Sequence, residues 1–246
     1  VRTLSVTTAR RLCSAAVLLS AVACKGDGGN AGSAASATPS AGAISPERLR
    51  QADAEPGQWM SLGRTSKGER FSPLTTISDT NAAKLGFAWE YTARTRRGRV
   101  EHGQEATPIV VDGVLYASGP WGAVYAVDAK TGAEKWRYDP EADGRYNRRA
   151  CCDVVNRGLQ VWRGRVYVAT IDGYLVALDA ASGKQLWRSD TFIDRETRFY
   201  SITGAPQVAG DVVVIGNSGG EFGVRGYITA YDLQSGAQKW RFFTVP

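Results

Sequence analysis

The sequence has little of what haem attachment and membrane spanning require. It contains one histidine and four cysteines in 246 residues, and it has no Cys-x-x-Cys-His motif, which excludes a c-type haem attached within this sequence. Its main apolar run, Leu12 to Val22, is well short of the roughly 20 residues that a membrane-spanning helix needs. Long amphipathic helical patterns are few, whereas 28 glycines, seven tryptophans and ten tyrosines favour short strands joined by tight turns. The chain is therefore predicted to be globular and mostly β.

Positive charge is in excess, with a formal net charge of +6, but it is unevenly placed. Part of it lies near the N-terminus, and much of the rest lies in two loop-like clusters: Arg94, Arg96, Arg97 and Arg99, and Arg145, Arg148 and Arg149. No recognition helix or aromatic-basic RNA-binding motif accompanies these clusters. They are interpreted as solvated loop charge, and no nucleic-acid partner is expected.

Residues 1–24 have the parts of an export signal: a basic pair, an apolar run, and Ala21-Val22-Ala23 before Cys24. The end of this segment resembles a bacterial lipoprotein signal, in which Cys24 would become the lipidated first residue and anchor the protein to a membrane. Cleavage after Ala23 without lipidation is the alternative. Residues 25–44 are almost wholly small and polar and are predicted to be a flexible linker. The expected location is the periplasm.

A repeated pattern organises the rest of the chain. Three segments align with one another: 123–136, 174–187 and 227–240. Their equivalent aspartates, Asp128, Asp179 and Asp232, recur about 50 residues apart. In each copy an apolar run ends at the aspartate, a Thr-Gly or Ser-Gly pair supplies a residue able to adopt positive φ, and a second run carries a tryptophan. A fourth, degenerate copy ends at Trp89.

Further strand pairs with tight turns precede the three copies, at 108–116, 159–167 and 207–215. Each repeat therefore holds about four strands, which is typical of β-propeller blades. Residues 45–246 are predicted to form an all-β propeller domain that is incomplete at its C-terminus, opening with a helix-start signature at Ser45-Pro46. The recurrent tryptophans are interpreted as packing residues between blades rather than catalytic residues: Trp89, Trp136, Trp187 and Trp240.

Two adjacent cysteines, Cys151 and Cys152, stand out within the repeats. Bonded to each other they would close a strained ring, and strained elements cluster at ligand-binding sites. Export favours this form, because disulfides persist outside the cytoplasm. Cys13 would be removed with the signal and Cys24 would be the first residue of the mature chain, so Cys151 and Cys152 have no other expected partner in this sequence. Two reduced, buried thiols are the alternative.

Several motifs together resemble the pyrroloquinoline-quinone (PQQ)-dependent alcohol dehydrogenases. Besides the Asp-x-x-(Thr/Ser)-Gly-x-x-x-Trp repeats, they are Gln104–Pro108, Cys151–Gly158, Ile202–Pro206 and Gly216–Gly226. The likeness covers roughly residues 50 to 246. The combination is much more specific than the tryptophan repeat alone, which non-catalytic propeller lipoproteins also carry. It implies an exported, eight-bladed propeller enzyme, of which this chain is about the first half.

The resemblance implies a role for each matching residue. Cys151 and Cys152 would form a vicinal disulfide lid over one face of PQQ, and Arg157 would pair with a cofactor carboxylate. The residues that match contacts to the cofactor's edge are Glu105, Thr203, Ser218, Gly219 and Gly220. Glu221 would be a carboxylate ligand of an adjacent Ca²⁺ ion or lanthanide, which would act as a Lewis acid on the reactive carbonyl. The single histidine, His102, is interpreted as a loop residue.

The family's catalytic aspartate, second metal ligand, stacking tryptophan and second cation have no counterpart in this sequence, so no catalytic residue is assigned. Two hypotheses follow. In the first, the chain is the N-terminal portion of a quinoprotein that oxidises a small-molecule alcohol and passes electrons to a cytochrome c. In the second, it is a complete, non-catalytic propeller lipoprotein that binds partners as a scaffold. The first is preferred, because an open half-propeller exposes two unpaired blade faces.

Overall fold

The computed structural model describes residues 40–93 and 103–246. The export signal, Cys24 and nearly all of the linker therefore lie outside the described residues, as do His102 and the arginine cluster at 94–99. Within the described residues α-helix is confined to α1 (Pro46–Arg50), and no helix there has the length and apolar character needed to cross a membrane.

The strands of the described residues form three four-stranded antiparallel sheets, each with its strands in chain order. The first sheet contains β1 (Ile109–Val111), β2 (Val114–Ser118), β3 (Val124–Asp128) and β4 (Glu134–Tyr138). The second contains β5 (Gln160–Trp162), β6 (Arg165–Ala169), β7 (Tyr174–Asp179) and β8 (Gln185–Asp190). The third contains β9 (Gln207–Ala209), β10 (Val212–Gly216), β11 (Tyr227–Asp232) and β12 (Gln238–Phe243). The four-stranded repeats predicted from the sequence are confirmed.

Each turn between the last two strands of a sheet is closed by its own aspartate. Asp128 Oδ1 accepts hydrogen bonds from the backbone N–H and the hydroxyl of Thr131, at 3.0 and 3.1 Å. Gly132 follows with a φ of 73°, a conformation that costs other residues strain. Asp179 and Asp232 repeat this arrangement. The hydroxyl bond from Thr131 is the main cause that holds the pKa of Asp128 below its usual value.

The tryptophan of each repeat packs on the turn glycine of the next. The pairs are Trp89 with Gly132, Trp136 with Gly183, and Trp187 with Gly236. In every pair a Cβ atom added to the glycine would lie 2.5–2.6 Å from a ring carbon, so the indole fits only against glycine. The Trp136 N–H donates to the Ala180 carbonyl at 3.0 Å, and the Trp187 N–H donates to the Leu233 carbonyl at 3.2 Å. These contacts confirm the predicted packing for Trp89, Trp136 and Trp187.

Trp240 differs from the other three tryptophans, because its side chain is 47% exposed. None of the described glycines has a Trp240 ring atom among the near contacts of an added Cβ atom. The degenerate copy that ends at Trp89 also departs from the pattern, since residues 85–93 contain no strand. Tryptophan docking at that position therefore does not depend on strand pairing.

One apolar core runs through all three sheets. It includes Tyr116, Tyr167 and Tyr231, one from each sheet, at 0–1% exposure. The Tyr116 hydroxyl donates to the Ala180 carbonyl of the next sheet at 3.1 Å, and the Tyr167 hydroxyl donates to the Leu233 carbonyl at 3.2 Å. Each of these carbonyls thus accepts hydrogen bonds from both a tyrosine and a tryptophan of the preceding sheet, which fixes neighbouring blades in register.

The segment before the first sheet is fastened to it by polar contacts. Ser45 caps α1 by accepting from the Arg48 N–H at 3.2 Å, which confirms the predicted helix start. The Arg48 guanidinium then bridges Glu55 and Asp112, at 2.7 and 2.6 Å. Ile44, in the stretch assigned to the linker, is completely buried.

Candidate functional site

The antiparallel strand order gives each sheet two ends. The turns that join the first strand to the second and the third to the fourth lie at one end. The segments that join the second strand to the third, and one sheet to the next, lie at the other end. We call the latter the connection end. It consists of 103–108, 119–123, 139–159, 170–173, 191–206 and 217–226. Every residue that the sequence placed in a cofactor site falls in one of these segments.

Arg157 is at the centre of the contacts there. Its backbone N–H donates to the Thr203 carbonyl at 2.9 Å, and its Nη1 donates to Thr203 Oγ1 at 2.6 Å. On the other side its Nη2 lies 3.3 Å from Glu105 Oε2. The structure thus brings together three of the predicted cofactor residues. Because a guanidinium has five N–H donors and this side chain is 45% exposed, donors remain for a ligand carboxylate.

A buried asparagine that the sequence did not single out, Asn156, fixes the adjoining backbone. Its Oδ1 accepts from the Gly158 N–H at 3.0 Å and from the Ser118 hydroxyl at 2.6 Å, while its Nδ2 donates to a carbonyl of β6 at 2.7 Å. The Ser118 carbonyl accepts in turn from the side chain of Gln104, next to Glu105. The network therefore links the segments before β1 and β5. The one signal for Asn156 in the sequence was its place between the cysteine pair and the arginine.

The segment before the first sheet packs against the backbone next to the site arginine. Trp59 extends the free edge of β1 by exchanging backbone hydrogen bonds with Val110, at 2.7 and 3.0 Å. Leu62 then lies against Gly158, which has a φ of 146°. A Cβ atom on Gly158 would be 3.1 Å from Leu62 Cδ2 and 3.3 Å from Ala205 Cβ. This close packing holds the backbone directly after the site arginine.

Cys151 and Cys152 are joined to each other by a disulfide. Both residues are exposed. The chain reaches them from a short 3₁₀ helix, Gly144–Arg149, and leaves through Val154, which is buried and accepts from the Trp121 N–H at 2.8 Å. The disulfide is therefore a solvent-facing element attached to a buried anchor, and it can cover a flat ligand.

The segment Ser218–Glu221 forms a glycine-rich loop. Its first residue exchanges backbone hydrogen bonds with Ser201, at 2.8 and 3.4 Å, which ties the loop to the segment before β9. Gly219 has a φ of 112°, and a Cβ atom there would be 2.5 Å from the Phe199 carbonyl, so the loop requires glycine. The last two residues are exposed. Across 40–93 and 103–246, no group of three or more His, Cys, Asp or Glu side chains is placed to hold a metal ion, so Glu221 belongs to no such set.

The fold is a β-propeller of tryptophan-docked blades, with the exposed Arg157 held between Thr203 and Glu105 at one end. Residues 59–246, well over half of the chain, match the family described as "PQQ: Glucose/ethanol/alcohol dehydrogenase, beta-propeller domain". The chain belongs to this family, and the predicted family and fold are confirmed.

Similar proteins carry names consistent with this family. The chain is 54% identical over 199 residues to quinohemoprotein alcohol dehydrogenase ADH-IIG of Pseudomonas putida, covering 81% of this chain and 27% of that protein. It is 51% identical over 176 residues to 1-butanol dehydrogenase (cytochrome c) of Thauera butanivorans, covering 72% and 25%.

Solved structures agree. The structure of ADHIIG from Pseudomonas putida HK5 matches with a TM-score of 0.78 at 52% identity, covering 84% of this chain and 29% of that one. A europium-containing methanol dehydrogenase matches with a TM-score of 0.71 at 38% identity, covering 80% and 34%. The chain thus spans about a quarter to a third of the length of these proteins.

Proposed function

We propose that this chain forms part of the cofactor site of a quinoprotein that oxidises an alcohol with PQQ. The observation that carries the proposal is the contact of Arg157 with both Thr203 and Glu105, at the same end of the sheets as the Cys151–Cys152 disulfide. This arrangement offers a planar cation and a flat covalent lid to one ligand, which suits a flat tricarboxylate. Family membership supports the same chemistry.

The chemistry that PQQ supplies when bound is acceptance of the two electrons and two protons that an alcohol loses on becoming a carbonyl compound. Arg157 holds a cofactor carboxylate through paired N–H donors. Thr203 Oγ1 accepts a hydrogen bond from another N–H of Arg157 and so orients the guanidinium. Glu105 contacts the cofactor's edge. Cys151 and Cys152 cover one face of the ring system and keep water from it. No residue of this sequence is assigned as the catalytic base.

The loop residues Ser218, Gly219 and Gly220 line the edge of the cofactor, where small side chains let the backbone approach a flat ligand. Glu221 supplies one carboxylate ligand to a Ca²⁺ ion or a lanthanide beside the cofactor, because hard cations prefer oxygen ligands. The likeness to a europium-containing methanol dehydrogenase supports the proposal of a bound metal. Since the described residues do not complete a metal site, no reaction step is derived through the metal.

The substrate in this proposal is a small-molecule alcohol, and the electron acceptor is a cytochrome c, which appears in the name of the relative 1-butanol dehydrogenase (cytochrome c). The protein acts in the periplasm, a location supported by the export signal in residues 1–24. A lipid on Cys24 anchors it to the membrane where that signal is of the lipoprotein type.

Equilibrium titration of the 246-residue chain with PQQ in the presence of Ca²⁺, followed by quenching of tryptophan fluorescence, tests the proposal. We expect saturable binding that Arg157→Gln weakens at least ten-fold and that Arg137→Gln, an exposed arginine in β4, leaves unchanged. Unchanged affinity in Arg157→Gln would overturn the assigned site.

A further inference from the structure

A second cationic site lies at the connection end, outside the residues assigned to PQQ. A cavity of about 750 Å³ opens between the segment joining β4 to β5 and the segment joining β8 to β9. Its walls are formed by Gly144, Arg145, Asn147, Arg148, Arg149 and Phe199. Among the described residues that line it, three are arginines and none is a carboxylate, so this lining carries a net positive charge.

The segment that bears the arginines, Gly144–Arg149, is anchored in the core. Tyr146 is 4% exposed and packs in an apolar cluster with Val154 and Ile171. Its hydroxyl accepts a hydrogen bond from Arg195 Nη1 at 3.1 Å, which ties this wall to the segment joining β8 to β9. Both walls of the cavity are therefore fixed to each other, and the cavity is a built feature of the fold.

Arg149 is oriented without any ligand. Its guanidinium carbon lies 4.5 Å from the centre of the Tyr146 ring and 4.9 Å from that of Phe199, within the range of cation–π attraction. Its Nη1 donates to the Arg195 carbonyl at 3.3 Å, which leaves other N–H donors of the group available. Within the described residues, neither Arg148 nor Arg149 forms an ion pair with a carboxylate, whereas Arg145 does.

We propose that this cavity binds an organic carboxylate, with the charge held by Arg148 and Arg149 and the apolar body placed on Phe199. Because Arg145 is already paired with Asp143 at 2.6 Å, the other two guanidiniums, which form no ion pair with a described carboxylate, are the ones available to a ligand. A planar guanidinium matches a carboxylate through two parallel N–H···O bonds. The Phe199 ring is 49% exposed, and it offers apolar surface that an inorganic anion would leave unused.

Isothermal titration calorimetry of the 246-residue chain with sodium benzoate, in the absence of quinone, tests this site. We expect benzoate to bind with a stoichiometry of one. Benzamide, which has the same shape without the charge, is expected not to bind, and inorganic phosphate, which has the charge without the ring, is expected to bind more weakly than benzoate. Equal affinity for benzoate and benzamide would overturn the proposal, as would a preference for phosphate.

Matched variants assign the binding to the cavity. We expect Arg148→Gln to weaken benzoate binding at least five-fold and Arg149→Gln at least ten-fold, whereas Arg50→Gln, an exposed arginine in α1, changes nothing. Arg149→Gln also removes contacts with two aromatic rings and can therefore loosen the fold. Arg148 is exposed, so Arg148→Gln tests the site without that complication. Unchanged benzoate affinity in Arg148→Gln would refute the site. Because no quinone is present, this result is independent of PQQ binding.

Discussion

Arg157 and Thr203 are joined twice, by a backbone hydrogen bond of 2.9 Å and by a side-chain hydrogen bond of 2.6 Å. The first bond links the segment before β5 to the segment before β9, and the second fixes the guanidinium on the linked backbone. An arginine that is nearly half exposed is therefore held in one orientation before a ligand binds. Such preorganisation raises affinity, because less side-chain freedom is lost on binding.

Thr203→Val tests this orientation, since valine keeps the shape of threonine and removes the acceptor Oγ1. A hydrogen bond of this kind contributes on the order of 1 kcal/mol, so we expect PQQ affinity to fall roughly five-fold. Thr203→Ser retains the hydroxyl and is expected to bind as the parent does. Fluorescence titration measures both variants, and equal affinity for the valine and serine variants would show that the hydroxyl does not orient the arginine.

Gly158 leaves little room for a side chain. With a φ of 146° and Leu62 Cδ2 only 3.1 Å from an added Cβ atom, Gly158→Ala combines backbone strain with overpacking. We expect it to lower the free energy of unfolding by about 2–4 kcal/mol. Adding Leu62→Ala relieves the clash, so the double variant should lose about 1 kcal/mol less than the sum of the single losses.

Urea unfolding measures these free energies. Gly204→Ala is the matched control, because nothing lies within 4 Å of its added Cβ atom, and it should change stability by less than about 0.5 kcal/mol. Strict additivity of Gly158→Ala and Leu62→Ala would count against direct packing of Leu62 on Gly158.

Gly113 and Gly183 separate tryptophan docking from backbone strain. Both have similar positive φ, 74° and 71°, but an added Cβ atom meets nothing at Gly113 and meets the Trp136 ring at 2.5 Å at Gly183. We expect Gly183→Ala to be more destabilising than Gly113→Ala by about 1–3 kcal/mol in urea unfolding. It should also shift the tryptophan emission as the Trp136 ring is displaced. Equal losses in the two variants would contradict the docking of tryptophan on glycine.

The blades could be predicted from the sequence because local contacts close each repeat. The Asp128 carboxylate caps a turn only three residues away, so turn chemistry and strand pattern appear together in one short motif. Trp240 shows the limit of this reasoning. Its motif is complete, but docking depends on a glycine from another repeat, and the side chain is exposed.

The site was less accessible from the sequence, because its contacts cross from sheet to sheet. Glu105, Arg157 and Thr203 were found through family motifs, and no periodicity indicates that they touch. Asn156 bonds to both the first and second sheets, and Leu62 approaches from the segment before them. Contacts of this kind depend on how the blades stack, and so they became visible only in the folded chain.

Tyr116 and Tyr167 make the fold sensitive to alkali. Burial raises the pKa of each to about 12, above the ordinary value near 10. Because the folded pKa is the higher one, the stabilisation is complete below about pH 10 and is lost as the pH rises towards 12. We expect the free energy of unfolding in urea to fall steeply over that interval.

Tyr116→Phe loses the hydrogen bond to the Ala180 carbonyl and should be about 1 kcal/mol less stable at pH 8. The free energy of unfolding of the variant should then fall less steeply than the parent's above pH 10, because one ionisable group has left the core. An unchanged pH dependence would show that Tyr116 does not contribute to the loss of stability in alkali.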